Sequence, residues 1–201
     1  DLIYETTVAG PSESIKSYLS KLASQRNIIM SNNEKGQLVF FRLNTNKKPI
    51  YFFNSSNTLS MSISVNGQGL HSQISVIRQP SFSNSDLTPE DSVSNSLIGK
   101  YKPFVSVLSS GTDTDTKKAA NNILAGELKN ITLTIDFDKY IDVNIGDVVE
   151  VQNKEVYLYK KSKMVVSVVT YSQSSSKNTT SIGLVIPESF TGNNPKNIFE
   201  I

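Results

Sequence analysis

The last third of the sequence constrains the fold most, because it consists of short apolar strands separated by turn residues. In ITLTIDF (131–137) every second residue is apolar, so the apolar side chains fall on one face of a strand. Similar segments follow at short intervals: NIGDVVEVQ (144–152), EVYLY (155–159), KMVVSVVTYS (163–172) and TTSIGLVIPESF (179–190). Regularly spaced strands of this kind predict a small closed or half-closed β-barrel.

A second alternating segment lies in the middle of the chain. In TLSMSISVN (58–66) apolar residues alternate with Ser60, Ser62 and Ser64, and HSQISVIRQ (71–79) follows after a glycine-containing turn. We expect these two strands to form a hairpin that pairs with the C-terminal strands. The predicted barrel is therefore discontinuous in sequence.

The N-terminal segment predicts a helix and a hairpin. LIYETTV (2–8) has the composition of a short strand, and Ser12 can cap a helix over 13–25 whose apolar residues fall on one face. NIIM (27–30) and LVFFRL (38–43) flank a segment rich in Asn and Gly, which favours a β-hairpin.

These patterns predict an α+β, mainly β, fold in four parts. Residues 1–54 form a helix-plus-hairpin domain, and residues 55–79 and 130–190 form a discontinuous antiparallel β-barrel. Residues 80–129 form an insertion with an extended segment at 103–110 and a helix at about 115–127, because the turn-rich run after Pro80 is too long for a bare connection. Residues 191–201 form a tail with little reason to be ordered alone.

Composition and charge disfavour several classes of protein. The net charge is +2 and only three of the 20 basic residues are arginine, which argues against sequence-specific reading of nucleic acid. The absence of cysteine excludes a disulfide framework and a thiolate metal site. No apolar run approaches the roughly 20 residues that span a bilayer.

Isolated residues with metal or acid–base chemistry are few. His71 is the only histidine, and a single histidine in a strand is usually a surface or hydrogen-bonded residue. Asp113 and Asp115 form a D-x-D pair that is also found in metal-dependent sugar transfer, but turn or helix-capping use is favoured without a nucleotide-binding framework. The cluster Asp136, Asp138 and Asp142 lacks the spacing of a calcium loop, so a solvated barrel rim is favoured.

Three further groups of residues have side chains that could form a site. Hydrolase acids would need a carboxyl pair across a cleft, and the sequence supports no such pair among Glu13, Glu34 and Glu90. A basic group predicts a solvated hairpin turn, with contact to an acidic neighbouring subunit as the functional alternative: Lys160, Lys161 and Lys163. Aromatic residues that could line a carbohydrate groove also suit core and strand-pairing roles: Tyr157, Tyr159 and Tyr171. We therefore predict no enzyme activity and no catalytic, cofactor or metal site.

The order of these segments resembles the Mu-like baseplate hub proteins of contractile phage tails. The family pattern of a helix, an LA.QR stretch and a G.LVF.R hairpin corresponds to residues 22–26 and 36–42. The sequence GQG at 67–69 is similar to the glycine-containing sequence that follows the central strand in the family. The barrel end also corresponds to the family pattern, through Val168, Tyr171, Thr180, Ile182, Leu184, Pro187 and Phe190. A family tryptophan near the barrel entry is missing, and Tyr140 and Ile141 occupy that region.

The resemblance implies a virion protein that forms a homotrimeric ring of two barrels per subunit, between the tail tube and the membrane-piercing spike. It implies assembly in the host cytoplasm, no cofactor and no membrane span. Family members begin with another β-barrel, so we expect either that the segment starting at Asp1 is a fragment or a processed product, or that this barrel lies on another chain. In both cases the segment should not form the ring alone. A carbohydrate- or surface-binding β module of a tail or secretion apparatus is the alternative, and a hydrolase is disfavoured.

Overall fold

The computed structural model describes residues 12–25, 28–32, 35–78, 90–108 and 116–200. The chain divides into two compact units, Asp1–Leu43 and Asn44–Ile201. The predicted strand at 2–8 lies outside the described residues.

The smaller unit contains the predicted helix and hairpin. Helix α1 spans Ile15–Gln25, and strands β1 (Ile29–Asn32) and β2 (Leu38–Phe41) pair antiparallel. The helix is capped two residues later than predicted, because the backbone N–H of Ser17 donates to the hydroxyl oxygen of Ser14 at 3.2 Å.

The larger unit contains nine strands and two helices among the described residues. The strands are β3 (Phe52–Phe53), β4 (Ser60–Val65), β5 (Gln73–Arg78), β6 (Glu90–Ser94), β7 (Pro103–Leu108), β8 (Ile131–Phe137), β9 (Val148–Asn153), β10 (Leu158–Gln173) and β11 (Asn178–Val185). The helices are α2 (Thr116–Leu128) and α3 (Glu188–Thr191). The α+β, mainly β, class is confirmed.

Six strands form a curled half-barrel in the order β3-β9-β10-β11-β8-β4. Strands β3 and β4 lie at opposite ends of this order, yet only residues 54–59 connect them. In a flat sheet five strand spacings would put β3 and β4 roughly 24 Å apart. The connection folds into a turn in which the backbone N–H of Asn57 donates to the carbonyl oxygen of Asn54 at 3.3 Å, so it is too short for a flat sheet and the sheet curls. The rings of Phe53 and Phe137 meet with centroids 5.0 Å apart across this curl.

Strand β8 shows why the alternating pattern predicts the barrel. Its burial alternates without a break, with Leu133 and Ile135 fully buried and Thr132 and Thr134 partly exposed. On its two sides β8 pairs antiparallel with β11 and with β4, which confirms that central and C-terminal stretches share one sheet.

Strand β10 corrects the predicted turn at Lys160, Lys161 and Lys163. These lysines lie inside one 16-residue strand, and the register against β9 shifts between Leu158 and Ser162. The turn lies earlier, at Lys154–Val156, where the side chain of Asn153 accepts the backbone N–H of Glu155 at 2.9 Å and Tyr157 has φ of 63°. A polar cap and a left-handed residue therefore set the turn, rather than the charged run.

The predicted hairpin of 58–66 with 71–79 is wrong. Strand β5 lies in a separate three-stranded sheet of order β6-β5-β7, antiparallel to β6 and parallel to β7. A 3₁₀ turn, Gly67–Gly69, separates β4 from β5, and the Lys102 ammonium donates to the carbonyl oxygens of Gly67 and Gln68. The connection therefore leads into a second sheet instead of reversing the chain within the barrel.

The described parts of the segment predicted as an insertion, residues 90–108 and 116–129, and residues 191–200 of the predicted tail are packed parts of the larger unit. Helix α2 packs on β5 and β6, and its Leu124 belongs to the same buried cluster as Ile74 and Leu133. After α3, the Asn194 amide oxygen accepts the backbone N–H of Ser96 at 2.9 Å, and Phe199 packs against the same core. Residues 191–200 therefore pack against the larger unit, unlike the unpacked tail that the sequence predicts.

Candidate assembly surfaces

Four strands end the two sheets of the larger unit, and each has one edge without a strand partner among the described residues. Strands β3 and β4 end the six-stranded sheet, and β6 and β7 end the three-stranded sheet. The unpaired N–H and C=O groups along such an edge can pair with another chain. These edges are therefore the first candidates for an assembly surface.

Strand β7 presents apolar side chains to solvent. Its parallel register places Phe104 beside Ile74, which is buried in the core cluster that includes α2. Val105 and Val107 therefore point to the opposite face, where 55% and 57% of their surfaces are exposed. Tyr101, just before the strand, is 82% exposed.

Strand β4 presents a smaller and more polar surface. Met61 and Ile63 are half-buried and pack against the core, whereas Ser60, Ser62 and Ser64 are exposed. Leu59 and Val65, at the two ends of the strand, are 60% and 49% exposed. The edge is thus a row of small hydroxyl side chains between two exposed apolar residues.

The edges of β3 and β6 differ from these two in length and in charge. Strand β3 has only two residues, Phe52 and Phe53, and β6 contains Glu90 and Asp91. Charged side chains on an edge strand oppose pairing with another chain. Strands β4 and β7 contain no charged residue, so their edges lack this protection.

The outer face of the barrel carries Asp136 in a row of hydroxyl groups. Its two carboxylate oxygens accept the hydroxyls of Ser60 and Ser181, each at 2.7 Å. A shallow pocket of about 250 Å³ lies beside it, lined by Leu59, Asp136, Phe137, Thr170, Ser172, Thr179, Thr180 and Ser181. Both carboxylate oxygens already accept hydrogen bonds, so Asp136 joins three strands (β4, β8 and β11) across the outer face.

The other predicted carboxylate groups do not come together as a site. Asp138 and Asp142 are exposed, and the described part of the chain contains no group of three or more His, Asp or Glu side chains that could hold a metal ion. Asp113 and Asp115 lie outside the described residues.

The three glutamates with the chemistry of hydrolase acids do not form a pair among the described residues either. Glu13 belongs to the smaller unit and accepts the Ser17 hydroxyl at 3.4 Å, whereas Glu90 is exposed on β6 in the larger unit. Glu34 lies outside the described residues.

His71 joins α2 to the start of β5. Its Nδ1 lies 2.7 Å from Oε1 of Glu127, and its backbone N–H donates to Oε2 of the same carboxylate at 3.0 Å. Its ring also contacts Phe104, with centroids 5.0 Å apart. The histidine is therefore hydrogen-bonded to a residue of α2 and packed against the N-terminal end of β7.

The three predicted tyrosines do not line one groove. Tyr157 precedes β10 and Tyr171 lies near its far end, which puts them roughly 45 Å apart along an extended strand. Tyr171 stacks on Tyr140 with centroids 5.1 Å apart, and its hydroxyl donates to the carbonyl oxygens of Ile141 and Val143. Tyr159 is half-buried, and its carbonyl oxygen accepts the Gln152 amide.

Among the described residues, no helix combines the length and the apolar character needed to cross a membrane. No protein-family model and no curated protein matches the sequence.

Solved structures share the fold at low sequence identity. The 43 kDa tail protein of prophage MuSo2 from Shewanella oneidensis matches with a TM-score of 0.73 and 17% identity, over 90% of this chain and 56% of that protein. The tail protein from Neisseria meningitidis MC58 matches with a TM-score of 0.73 and 18% identity, over 94% of this chain and 60% of that protein. A chain in the virion of a native gene transfer agent particle matches with a TM-score of 0.53 and 12% identity, over 90% of this chain and 41% of that chain.

The chain thus spans 56% and 60% of the two tail proteins that it matches with the higher score. Such low identities establish the fold and not the activity. The resemblance to Mu-like phage tail proteins is confirmed at that level: this chain has the fold of prophage tail proteins.

Proposed function

We propose that the chain is a structural component of a phage tail baseplate hub, located in the virion and acting without enzymatic activity. The observation that carries this proposal is the fold shared with prophage tail proteins over 90% of the chain. The similar chain in a gene transfer agent virion supports a place in an assembled particle. In this role the chain needs no catalytic residue, cofactor or metal.

The proposed assembly is a homotrimeric ring that joins the tail tube to the central spike. A ring of identical subunits needs two different surfaces on each subunit, so that each copy contacts the next head to tail. The edges of β4 and β7 are candidate surfaces on this chain, and the second barrel that the resemblance implies for each subunit would supply others. Stable interfaces of this kind bury on the order of 2,000–5,000 Å² in total, so adjoining surfaces would have to contribute as well.

A ring of this type works by holding its shape. The half-barrel is filled by fully buried side chains such as Leu133, Met164 and Ile182, and close-packed interiors of this kind deform little. Three such subunits around one axis would keep the tube and the spike coaxial.

The oligomeric state tests this proposal directly. The protein expressed from its intact gene is measured by size-exclusion chromatography with light scattering, and the particles are imaged by negative-stain electron microscopy. We expect three times the subunit mass and a ring with threefold symmetry. A protein that stays monomeric at concentrations of tens of micromolar would contradict the proposed ring.

A carbohydrate- or surface-binding module is the second candidate, and the stacked pair Tyr140 and Tyr171 favours it. These rings are 61% and 47% exposed, and exposed aromatic rings can pack against the apolar faces of sugars. A glycan array separates the candidates, because selective binding that is lost in Tyr140→Ala supports the module. No binding together with a trimeric mass supports the hub.

A further inference from the structure

We propose that Asp136 anchors an arginine side chain of a neighbouring tail protein, in the shallow pocket on the outer face of the half-barrel. The pocket has a volume of about 250 Å³ and lies where β10, β11, β8 and β4 run side by side. The inference rests on the proposed function for the source of the arginine, because a neighbour in an assembled tail would supply it.

The charge of the pocket selects a cation. Asp136 is the only charged residue among those that line the pocket, and the others carry hydroxyl groups or are apolar. Its carboxylate is half-buried, and in the described part of the chain it forms no ion pair with a lysine, arginine or histidine side chain. Because partly dehydrated surroundings strengthen the attraction between opposite charges, the pocket favours a positively charged group.

The carboxylate of Asp136 has acceptor capacity left for such a group. A carboxylate offers about four acceptor positions, and the hydroxyls of Ser60 and Ser181 occupy one on each oxygen. One position on each oxygen is therefore free for a second donor. A guanidinium presents two parallel N–H groups that match such a pair of oxygens, whereas an ammonium acts as a point charge. The free acceptor positions therefore favour arginine over lysine.

The other lining residues suit the rest of an arginine side chain. Leu59 and Phe137 line the pocket, and 60% of the Leu59 surface is exposed, so the methylene groups of the arginine can pack against apolar atoms. Thr170 and Ser172 also line the pocket and are exposed, so their hydroxyl oxygens can accept further N–H groups of the guanidinium.

The surroundings of the pocket favour a protein over a free small molecule as the source of the arginine. The row of cross-strand partners next to Asp136 consists of Ser62, Thr134 and Gly183. All three are small and uncharged, so the backbone of a partner can approach the sheet closely here. Because the pocket is shallow, a free ligand would bury little of its surface there.

Binding of a capped arginine tests the pocket directly. The probe is N-acetyl-arginine amide, and N-acetyl-citrulline amide is the matched compound without the charge. In two-dimensional NMR titrations we expect saturable shifts of the Thr170 and Ser181 amides at millimolar concentrations of the arginine compound, and none with the citrulline compound. N-acetyl-lysine amide should bind at least about threefold more weakly. Equal binding of the lysine and arginine compounds would overturn the choice of arginine.

Substitutions test which side chain carries the binding. Asp136→Asn should weaken binding of the arginine compound at least about tenfold. Asp138→Asn is the matched control, because Asp138 is exposed and is not among the residues that line the pocket. Thr170→Val leaves Asp136 and its hydroxyl contacts in place and should weaken binding about threefold. Equal binding by Asp136→Asn and the unsubstituted chain, or equal shifts with the citrulline compound, would overturn the site.

The source of the arginine is tested in the assembled particle. When the intact gene is co-expressed with the other tail genes, Asp136→Asn should lower the fraction of the chain recovered in particles at least about tenfold, and Asp138→Asn should not. Probe binding without this loss would overturn the assignment to a neighbouring protein. A trimer that binds no probe would overturn the pocket and leave the proposed ring intact. Probe binding by a chain that never forms a trimer would overturn the ring alone.

Discussion

The half-barrel and the three-stranded sheet are built from similar residues, but the strands of the half-barrel are easier to predict from the sequence pattern. Strand β8 of the barrel has one buried and one partly exposed face, so apolar and polar residues alternate along it. Strand β5 is central in its sheet, and Ile74, Ser75 and Val76 are all buried. Alternation therefore reveals a strand with one solvated face, whereas a central strand looks like any other short apolar run.

The two regions nevertheless share one core, and a cavity in either should destabilise the unit by a similar amount. Leu133 of β8 and Leu124 of α2 are both fully buried in the same cluster. We expect Leu133→Ala and Leu124→Ala each to lower the free energy of unfolding by about 3 kcal/mol. Chemical denaturation followed by circular dichroism should show a single transition for each variant.

The control for these cavities is Leu59→Ala, because Leu59 is 60% exposed and its truncation should leave stability nearly unchanged. Two separate transitions in Leu124→Ala would mean that the three-stranded sheet and α2 unfold without the barrel.

A close contact between α3 and α2 links the two regions. A substitution at this contact should cause the next largest loss of stability. Gly192 ends α3 with φ of 68°, and a Cβ at this position would lie 2.1 Å from the carbonyl oxygen of Asn121 in α2. Gly192→Ala should therefore cost about 2 kcal/mol, since it adds backbone strain to a steric clash. Thermal unfolding by calorimetry measures this loss.

Gly126→Ala is the matched control in the same region. Gly126 is an exposed position of α2 with open space around it, so alanine should stabilise the helix by about 0.5–1 kcal/mol. Equal losses at both glycines would refute the proposed contact.

The C-terminal segment should contribute a smaller amount. Asn194→Ala removes the acceptor for the backbone N–H of Ser96, which we expect to lower stability by about 1 kcal/mol. Hydrogen exchange should show faster exchange of the Ser96 amide, with little change in β8. The nearby exposed residue Asn193 provides the control, since Asn193→Ala leaves this acceptor in place. Unchanged exchange at Ser96 would argue against the link.

The smallest expected effect concerns Glu188, at the start of α3. Burial raises the pKa of its carboxyl above the usual value, while a backbone hydrogen bond and Lys196 partly oppose this rise. A raised folded-state pKa favours the protonated form, so its stabilisation is present at low pH and is lost as pH rises through the folded pKa.

Glu188→Gln should therefore raise stability at pH 7 by a few tenths of a kcal/mol, with a gain that shrinks below about pH 4. Melting temperatures measured from pH 3 to pH 8 check this. A variant that is less stable at pH 7 would show that ionised Glu188 is favoured in the folded protein.

Sequence patterns predicted the barrel strands well, because each carries its own local signal. Residues 131–137 were predicted with the observed bounds, and the helix at about 115–127 lies within one residue of α2 at each end. The turn before β10 was misplaced, because Asn153 and the left-handed Tyr157 carry a weaker signal than the three lysines that follow.

Pairing between distant strands could not be predicted in the same way. The partners of β5 are β6 and β7, and their pairing depends on α2 covering one face of the sheet, which no local pattern encodes. The candidate edges were also missed, although SMSISV and PFVSVL are visible as strands without charge. Their significance depends on their position at the ends of sheets.

The pairing of β4 with β8 has a consequence for biosynthesis. Ser60 and its partner Asp136 are 76 residues apart in sequence, so β4 leaves the ribosome well before the strand that covers it. At roughly 5–20 residues per second, the nascent β4 is unpaired for roughly 4–15 s. Its three serines keep every second position hydrophilic during this interval, which limits aggregation of nascent chains.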